Sequence, residues 1–437
     1  MQMAIQSQRL HSIEYNQITN IDNSSLYTIL YIICLGQMVF QTYIPILQFW
    51  DETLTIIFLF VIILTYLRNG NVLGSQYYKM FFLIILIAAF GIAGNHINRI
   101  QTKAIPILND LGNCFKVYIA YIGSVLYFSY WNVSYITKLR TIKKCAKFTR
   151  ILVLIMLIFA IINLFVDIGM RQELRFGIPT FQFIVSGSGN FSGLFFPILL
   201  VLTADYYCCQ RTKKKLFIIL ALLVWASAIR IRGFVHIFVY LSICYYIVHL
   251  KKNKINLFAI IVSLIVIYFI VNNQVHYYID EGTTARYYLI YGGFQTAANY
   301  FPLGGGFATF GTDAAAKYYS RLYDLYGFEN VWGLSSENPV FAKDNYWPAV
   351  MGEFGFIGLA FTIILIYMLF SDIFRLSGNN IHKKAIAYFI CIALVFQSSG
   401  SPVFFHYNTV NLLIILSFVL TINKQPNRFP KIKSRGI

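Results

Sequence analysis

The chemistry on offer in this sequence comes from arginines set in polar breaks between strongly apolar stretches. Arg171 and Arg175 stand four residues apart in a short polar segment. On one face of a helical turn they would make a two-pronged clamp for a phosphate or carboxylate, and Glu173 between them could equally neutralise one of the pair. Arg230 and Arg232, just before Gly233, interrupt the apolar stretch 216–250. Arg286, Lys317 and Arg321 are the cations of a much longer polar stretch, which closes on Asp344 as the chain turns apolar again. A guanidinium binds phosphate oxygens through a rigid planar fork and needs no metal to do so. A carboxylate at the position of Asp344 is either an acceptor for a hydroxyl proton or a helix N-cap. Gly304-Gly305-Gly306 resembles a phosphate loop only superficially, because no Lys-Ser pair follows, and reads as a tight turn with closely approached backbone. Neither metal-ligand spacing nor a nucleotide-binding loop is found, so no cofactor is expected.

The elements that must carry these residues are membrane helices. Hydrophobic residues make up 58% of the chain and charged residues 12%, half the charged share of a soluble domain. Apolar runs of near-membrane length occur at 26–48, 53–67, 76–95, 105–130, 150–168, 189–207, 216–229, 234–250, 255–272, 346–370, 385–400 and 409–422. The expected fold is therefore an all-α polytopic integral membrane protein of about twelve transmembrane helices, one domain over residues 1–437. Arg230 and Arg232 divide 216–250 into two short spans, since arginines at a helix centre cost about 2.5–3.5 kcal/mol each on an insertion scale.

Orientation follows from charge. With both termini in the cytoplasm, most of the 35 basic residues fall on the cytoplasmic side, Lys143, Lys144 and Lys213 to Lys215 among them. The net charge of +18 thus reports topology rather than a nucleic-acid partner. The seven cysteines lie in spans or on the cytoplasmic side and imply no disulfide framework.

Two long polar stretches then face outward, 168–188 and 273–345, the larger between the ninth and tenth spans. A connection of that length is either functional or disordered, and the density of Tyr and Trp in 273–345 argues against disorder. Those rings suit the apolar faces of sugars, or an interfacial aromatic belt.

These features in this order resemble the O-antigen and capsule polymerases of the Wzy type and the related O-antigen ligases. Three short stretches carry the likeness: Gly187 to Gly193, Ser227 to Gly233, and Arg286 followed by Pro302 to Gly306. The ligases have a histidine, then Asn, Ser or Gln, nine residues, and Gly-x-x-Gly; here Asp344-Asn345 precedes Gly355-Phe356-Ile357-Gly358 at that spacing. The ligase histidine is absent, which favours polymerase over ligase. The polymerases' Arg, ten residues, Gly pattern is not met from Arg171, Arg175, Arg286 or Arg321. The resemblance implies a glycosyltransferase of the bacterial cytoplasmic membrane that joins oligosaccharide units carried on undecaprenyl diphosphate. It implies Asp344 and Arg286 as catalytic residues, with Arg171, Arg175, Arg230, Arg232 and Arg321 on the diphosphate. A flippase and a chain-length regulator are the partners it suggests. The competing class is a transporter or flippase, for which Lys79, Lys116 and Asp205 would be the charges inside the spans.

Overall fold

The computed structural model describes residues 23–68, 74–131, 133–185, 187–209, 215–250 and 284–422. Its helices follow the apolar segments closely. In chain order they are α1 (Ser24–Phe40), α2 (Trp50–Arg68), α3 (Ser75–Asn98), α4 (Ala104–Tyr130), α5 (Tyr135–Phe165), α6 (Ser188–Cys209), α7 (Lys215–Ala226) and α8 (Ile231–Ile243). After these come α9 (Ala285–Asn299), α10 (Asp313–Lys317), α11 (Arg321–Leu325), α12 (Tyr346–Ser377), α13 (Ile381–Ser398) and α14 (Tyr407–Leu420). Among the described residues eight helices are long and apolar enough to cross a membrane, α8 with the π-helical turn Cys244–His249 that continues it, and α1, α7 and α14 are shorter apolar helices. The expected segment 255–272 lies outside the described residues. Of the eight, α4 and α6 are the most enclosed, and α14 is buried along nearly its whole length, while Phe60, Phe82, Ile85 and Tyr367 point outward from the bundle, as side chains facing lipid do.

Three local readings change. The segment 26–48 is not one helix: α1 ends at Phe40, and a 3-10 turn, Pro45–Phe49, leads into α2. The basic stretch 138–150 is no loop but the opening turns of α5, where Lys138 is buried and its Nζ caps Phe128 O at 2.7 Å and Thr421 O at 2.9 Å. The segment holding Arg171 and Arg175 is a β-hairpin rather than a helical turn, with β1 (Arg171–Arg175) antiparallel to β2 (Ile178–Phe181). Its two-residue turn, Phe176-Gly177, has positive φ at both positions (53° and 76°), the type I′ geometry that matches strand twist.

One end of the bundle gathers the ends of α1, α5 and α13 with the starts of α2, α6, α8, α12 and α14. The opposite end is closed by polar locks. Lys383 Nζ caps Leu420 O at 2.5 Å, and buried Asp372 accepts from Tyr121 at 2.9 Å and from Tyr77 at 3.1 Å. Arg150 is paired with Asp205 across α5 and α6.

Residues 284–345 are not a loose excursion. They fold into α9, α10 and α11 over a small core of their own, with Phe310, Tyr323 and Phe328 at its centre. The glycine run fixes this unit to the bundle. Phe307 N–H donates to Asn95 Oδ1 at 2.8 Å, Ala308 N–H to Asp110 Oδ2 at 2.5 Å, and Thr309 N–H to Glu353 Oε1 at 3.2 Å. Gly305 and Gly306 donate to the carbonyls of Gly352 and Glu353, both at 2.8 Å. The loop's amides are thus taken up by the protein itself, which agrees with the tight-turn reading and leaves no phosphate cradle. The facing stretch of α12 is kinked at Gly355 (φ 67°, ψ −173°), a backbone region open essentially to glycine alone.

A side chain at Gly355 would also bring its Cβ within 2.7 Å of Pro302 O. Gly355→Ala should therefore destabilise the protein by at least about 1–3 kcal/mol. Gly112→Ala, with nothing within 4 Å, should stay within about 0.5 kcal/mol of the parent. Thermal unfolding of both variants in detergent checks the contrast.

Candidate functional site

Where the helix ends converge lies a cavity of about 910 Å³. Its wall takes side chains from the hairpin, the α7–α8 turn, the start of α9, the segment before α12 and the α13–α14 link. Five of the seven residues singled out from sequence line it: Arg175, Arg230, Arg232, Arg286 and Asp344. These positions span 170 residues of chain and meet because each stands where its element reaches the same end of the bundle.

The other two do not join them. Arg171 turns back onto the end of α5, its Nη2 donating to Asn163 O at 3.0 Å. Arg321 is exposed at the first position of α11 and is not part of the cavity wall. The clamp expected of Arg171 and Arg175 is therefore not formed. Instead, Glu173 bridges Arg175 (2.8 Å) and Arg230 (2.9 Å), so the hairpin and the α7–α8 turn are joined through one carboxylate. Gln172 Oε1 accepts a further bond from Arg230 at 2.9 Å.

Arg232 and Arg286 converge from α8 and α9 on a single glycine. Arg232 Nη2 donates to Gly400 O at 3.1 Å. A Cβ on Gly400 would lie 2.3 Å from Arg232 Nη2, which would have to shift, and in ordinary contact with Arg286 Nη2 at 3.6 Å. Asp344 sits half-buried among these charges. Burial pushes its carboxyl above the usual carboxylate range, and Arg286, then Arg232 and Lys343, oppose the shift. Asp344 is not a helix cap: the N-cap position of α12 belongs to Asn345, whose side chain makes no capping bond.

Two contributors, Lys343 and His406, were not singled out from sequence, and a third, Lys116, was read there only as a charge inside a span. Lys343 lines the cavity and pairs with Asp313 at the start of α10. Lys116 on α4 is buried and paired with Asp51 on α2 at 2.7 Å, and Asp51 in turn accepts from Gln37 at 2.6 Å. His406 lines the wall from the α13–α14 link; its place in a polar break between two apolar runs was the available signal. Of the other charges flagged inside spans, Asp205 is consumed by Arg150 and Lys79 is exposed on α3.

Among the described residues, one grouping has the donor set for a metal ion: the buried Asp110, Cys114 and Glu353. One oxygen of each carboxylate is committed to the glycine loop, through Ala308 N–H and Thr309 N–H. Asp110 Oδ1 and Glu353 Oε2 have no donor among the described residues, and a proton or an ion held between them would satisfy both. The cluster's evident role is to hold the loop.

Chemically, the cavity joins several cationic forks to a carboxylate whose proton affinity is raised, at the end of an apolar bundle. Such a site can neutralise a multiply charged anion and accept a proton beside it. In comparisons with known proteins, no family model matches this chain and no curated protein matches it.

Because Glu173 stands between Arg175 and Arg230, removing its charge strengthens the positive field. Glu173→Gln should tighten the binding of inorganic pyrophosphate, followed by phosphorus NMR of the purified protein. Its stability should change by no more than about 1 kcal/mol, since these pairs are partly exposed.

Proposed function

We propose that this protein is a polysaccharide polymerase, joining oligosaccharide units carried on undecaprenyl diphosphate at the outer face of a bacterial cytoplasmic membrane. The observation that carries this reading is the convergence of Arg175, Arg230, Arg232 and Arg286 with Asp344 in one cavity at the end of an apolar helical bundle. The basic residues Arg68, Lys138, Lys144, Lys215, Lys383 and Lys384 sit at the opposite helix ends. By the positive-inside rule that end is cytoplasmic and the cavity faces outward, where no nucleotide sugar is at hand and the energy for transfer must come with a lipid-linked donor.

In the proposed reaction a sugar hydroxyl of one unit attacks the anomeric carbon of another. The new glycosidic C–O bond forms as the bond from that carbon to the diphosphate oxygen breaks. Asp344 takes the hydroxyl proton, and Arg232 and Arg286 carry the charge that develops on the departing lipid diphosphate. The raised proton affinity of Asp344 suits a group that must accept a proton while the nearby cations keep it ionised. O-antigen ligation uses the same donor and leaving group and differs in its acceptor. A carrier for the lipid-linked unit is the reading from another class; the buried Lys116–Asp51 pair on the cavity wall is the feature that favours it. A carrier would move the unit without lengthening it.

In cells lacking the native gene, Arg286→Ala at unchanged protein level should abolish long polymer. Arg286→Lys should restore little, because an ammonium cannot reproduce the planar fork. Asp344→Asn should likewise lose polymer with normal membrane insertion, whereas wild-type amounts from it would remove Asp344 as the base. Labelling of cysteines placed at Lys317 and Arg175 from outside the cell, with Lys215 protected, would support the orientation; protection of Lys317 would overturn it.

A pH profile gives a separate check. A base must be ionised to act, so activity should fall as pH falls through the pKa of Asp344. Lys343→Gln removes one of the cations that hold that pKa down, so the acid limb of the profile should move to higher pH. An unmoved limb would show that another group is titrating.

A further inference from the structure

His406 is used neither by the arginine cluster nor by Asp344, yet it stands on the cavity wall. Its imidazole caps α14: Nδ1 accepts the backbone N–H of Asn408 at 3.3 Å. A ring nitrogen that accepts a hydrogen bond cannot carry the proton, so the neutral imidazole holds its proton on Nε2. No hydrogen bond to that nitrogen is found among the described residues, and the residue that carries it lines the cavity wall. The helix cap therefore fixes which face of the ring meets a ligand, and in which protonation state.

The charged groups that face the ring are Lys116 on α4, Asp51 on α2, and Lys343 and Asp313 from the segment before α12. Burial first, and then Lys116, bring the imidazole down to about 3, so it stays neutral across the physiological range.

We propose that Nε2–H of His406 is a neutral hydrogen-bond donor to a substrate oxygen bound in the cavity, and that His406 is not a base. The substrate class rests on the polymerase reading above; the tautomer does not. An uncharged donor can polarise a phosphoryl or sugar oxygen without competing with Asp344 for the transferred proton. It is also a fixed donor, because turning the ring over would cost α14 its cap.

Nitrogen NMR of the full-length protein in nanodiscs, labelled with ¹⁵N-histidine, tests the tautomer; the signal is assigned by its loss in His406→Asn. An unprotonated Nδ1 and a protonated Nε2, unchanged between pH 5.5 and 8, are expected. A proton on Nδ1, or titration within that range, would overturn the proposal. A pair of substitutions then separates donor from cap. Asparagine keeps a capping oxygen but is too short to reach the cavity, while glutamine places an amide N–H₂ near the position of Nε2 and caps poorly. His406→Asn should unfold at the parent's temperature and lose tenfold or more of polymer formation. His406→Gln should unfold at a lower temperature and retain more activity than the asparagine variant. The reverse order of activity would show that only the cap matters. If the unaltered protein lengthens no lipid-linked glycan, the polymerase reading fails, and the tautomer measurement still decides whether the donor exists.

Discussion

The loop Gly304 to Thr312 is clasped from inside the bundle by Asn95, Asp110 and Glu353, and the rest of the site depends on that clasp. Buried carboxylates are costly unless hydrogen-bonded, and backbone amides buried without partners are costly too. Here each removes part of the other's penalty: the loop amides gain acceptors, and one oxygen of each carboxylate gains donors. The result is a polar plug that ties the segment 284–345 to α3, α4 and α12 at once. Arg286 precedes the plug, Asp313 follows it, and Lys343 and Asp344 complete the segment, so the position of every charge on this side of the cavity is set by it. The glycines are the steric condition: Cβ atoms at Gly304 and Gly306 would come within 2.4 Å of the backbone of Gly355 and Asn95.

The remaining charges are organised by partial neutralisation. Glu173 holds Arg175 and Arg230 together, Asp51 holds Lys116, and Asp313 holds Lys343. The Glu173 and Asp313 pairs are partly exposed and contribute little to stability, but they keep long cationic side chains from spreading into solvent, whereas the Asp51–Lys116 pair is buried. What they leave is a wall whose positive groups are already placed when an anion arrives, so little reorganisation is needed on binding. The sealed opposite end, with Lys138 and Lys383 capping the last carbonyls of α14, gives the bundle one open end and one closed one.

Much of this was legible in the sequence, for physical reasons. Apolar runs mark membrane-length helices because lipid tolerates little else, and eleven of the twelve expected segments correspond to apolar helices in the structure. Arginines in polar breaks were found because charge avoids helix centres, and helix ends are where cavities form. Local conformation was harder. A spacing of four residues fits one face of a helix, but it equally fits one face of a strand, and Phe176-Gly177 decided for the hairpin. Which arginines meet was not readable at all, because Arg171 is diverted by the carbonyl of Asn163 and Arg321 stands exposed on α11, away from the cavity wall. The roles of Lys343, Lys116 and His406 were not readable because they depend on partners far away in sequence.

The central claim is that Arg232 and Arg286 form a diphosphate site beside Asp344. Cryo-electron microscopy of the protein in nanodiscs with a non-hydrolysable undecaprenyl diphosphonate glycan tests it most directly. The account predicts phosphorus density bridging the two guanidinium groups at Gly400, with the glycan running toward Asp344. A well-ordered ligand whose phosphonates lie elsewhere, with the space over Gly400 unoccupied, would contradict it.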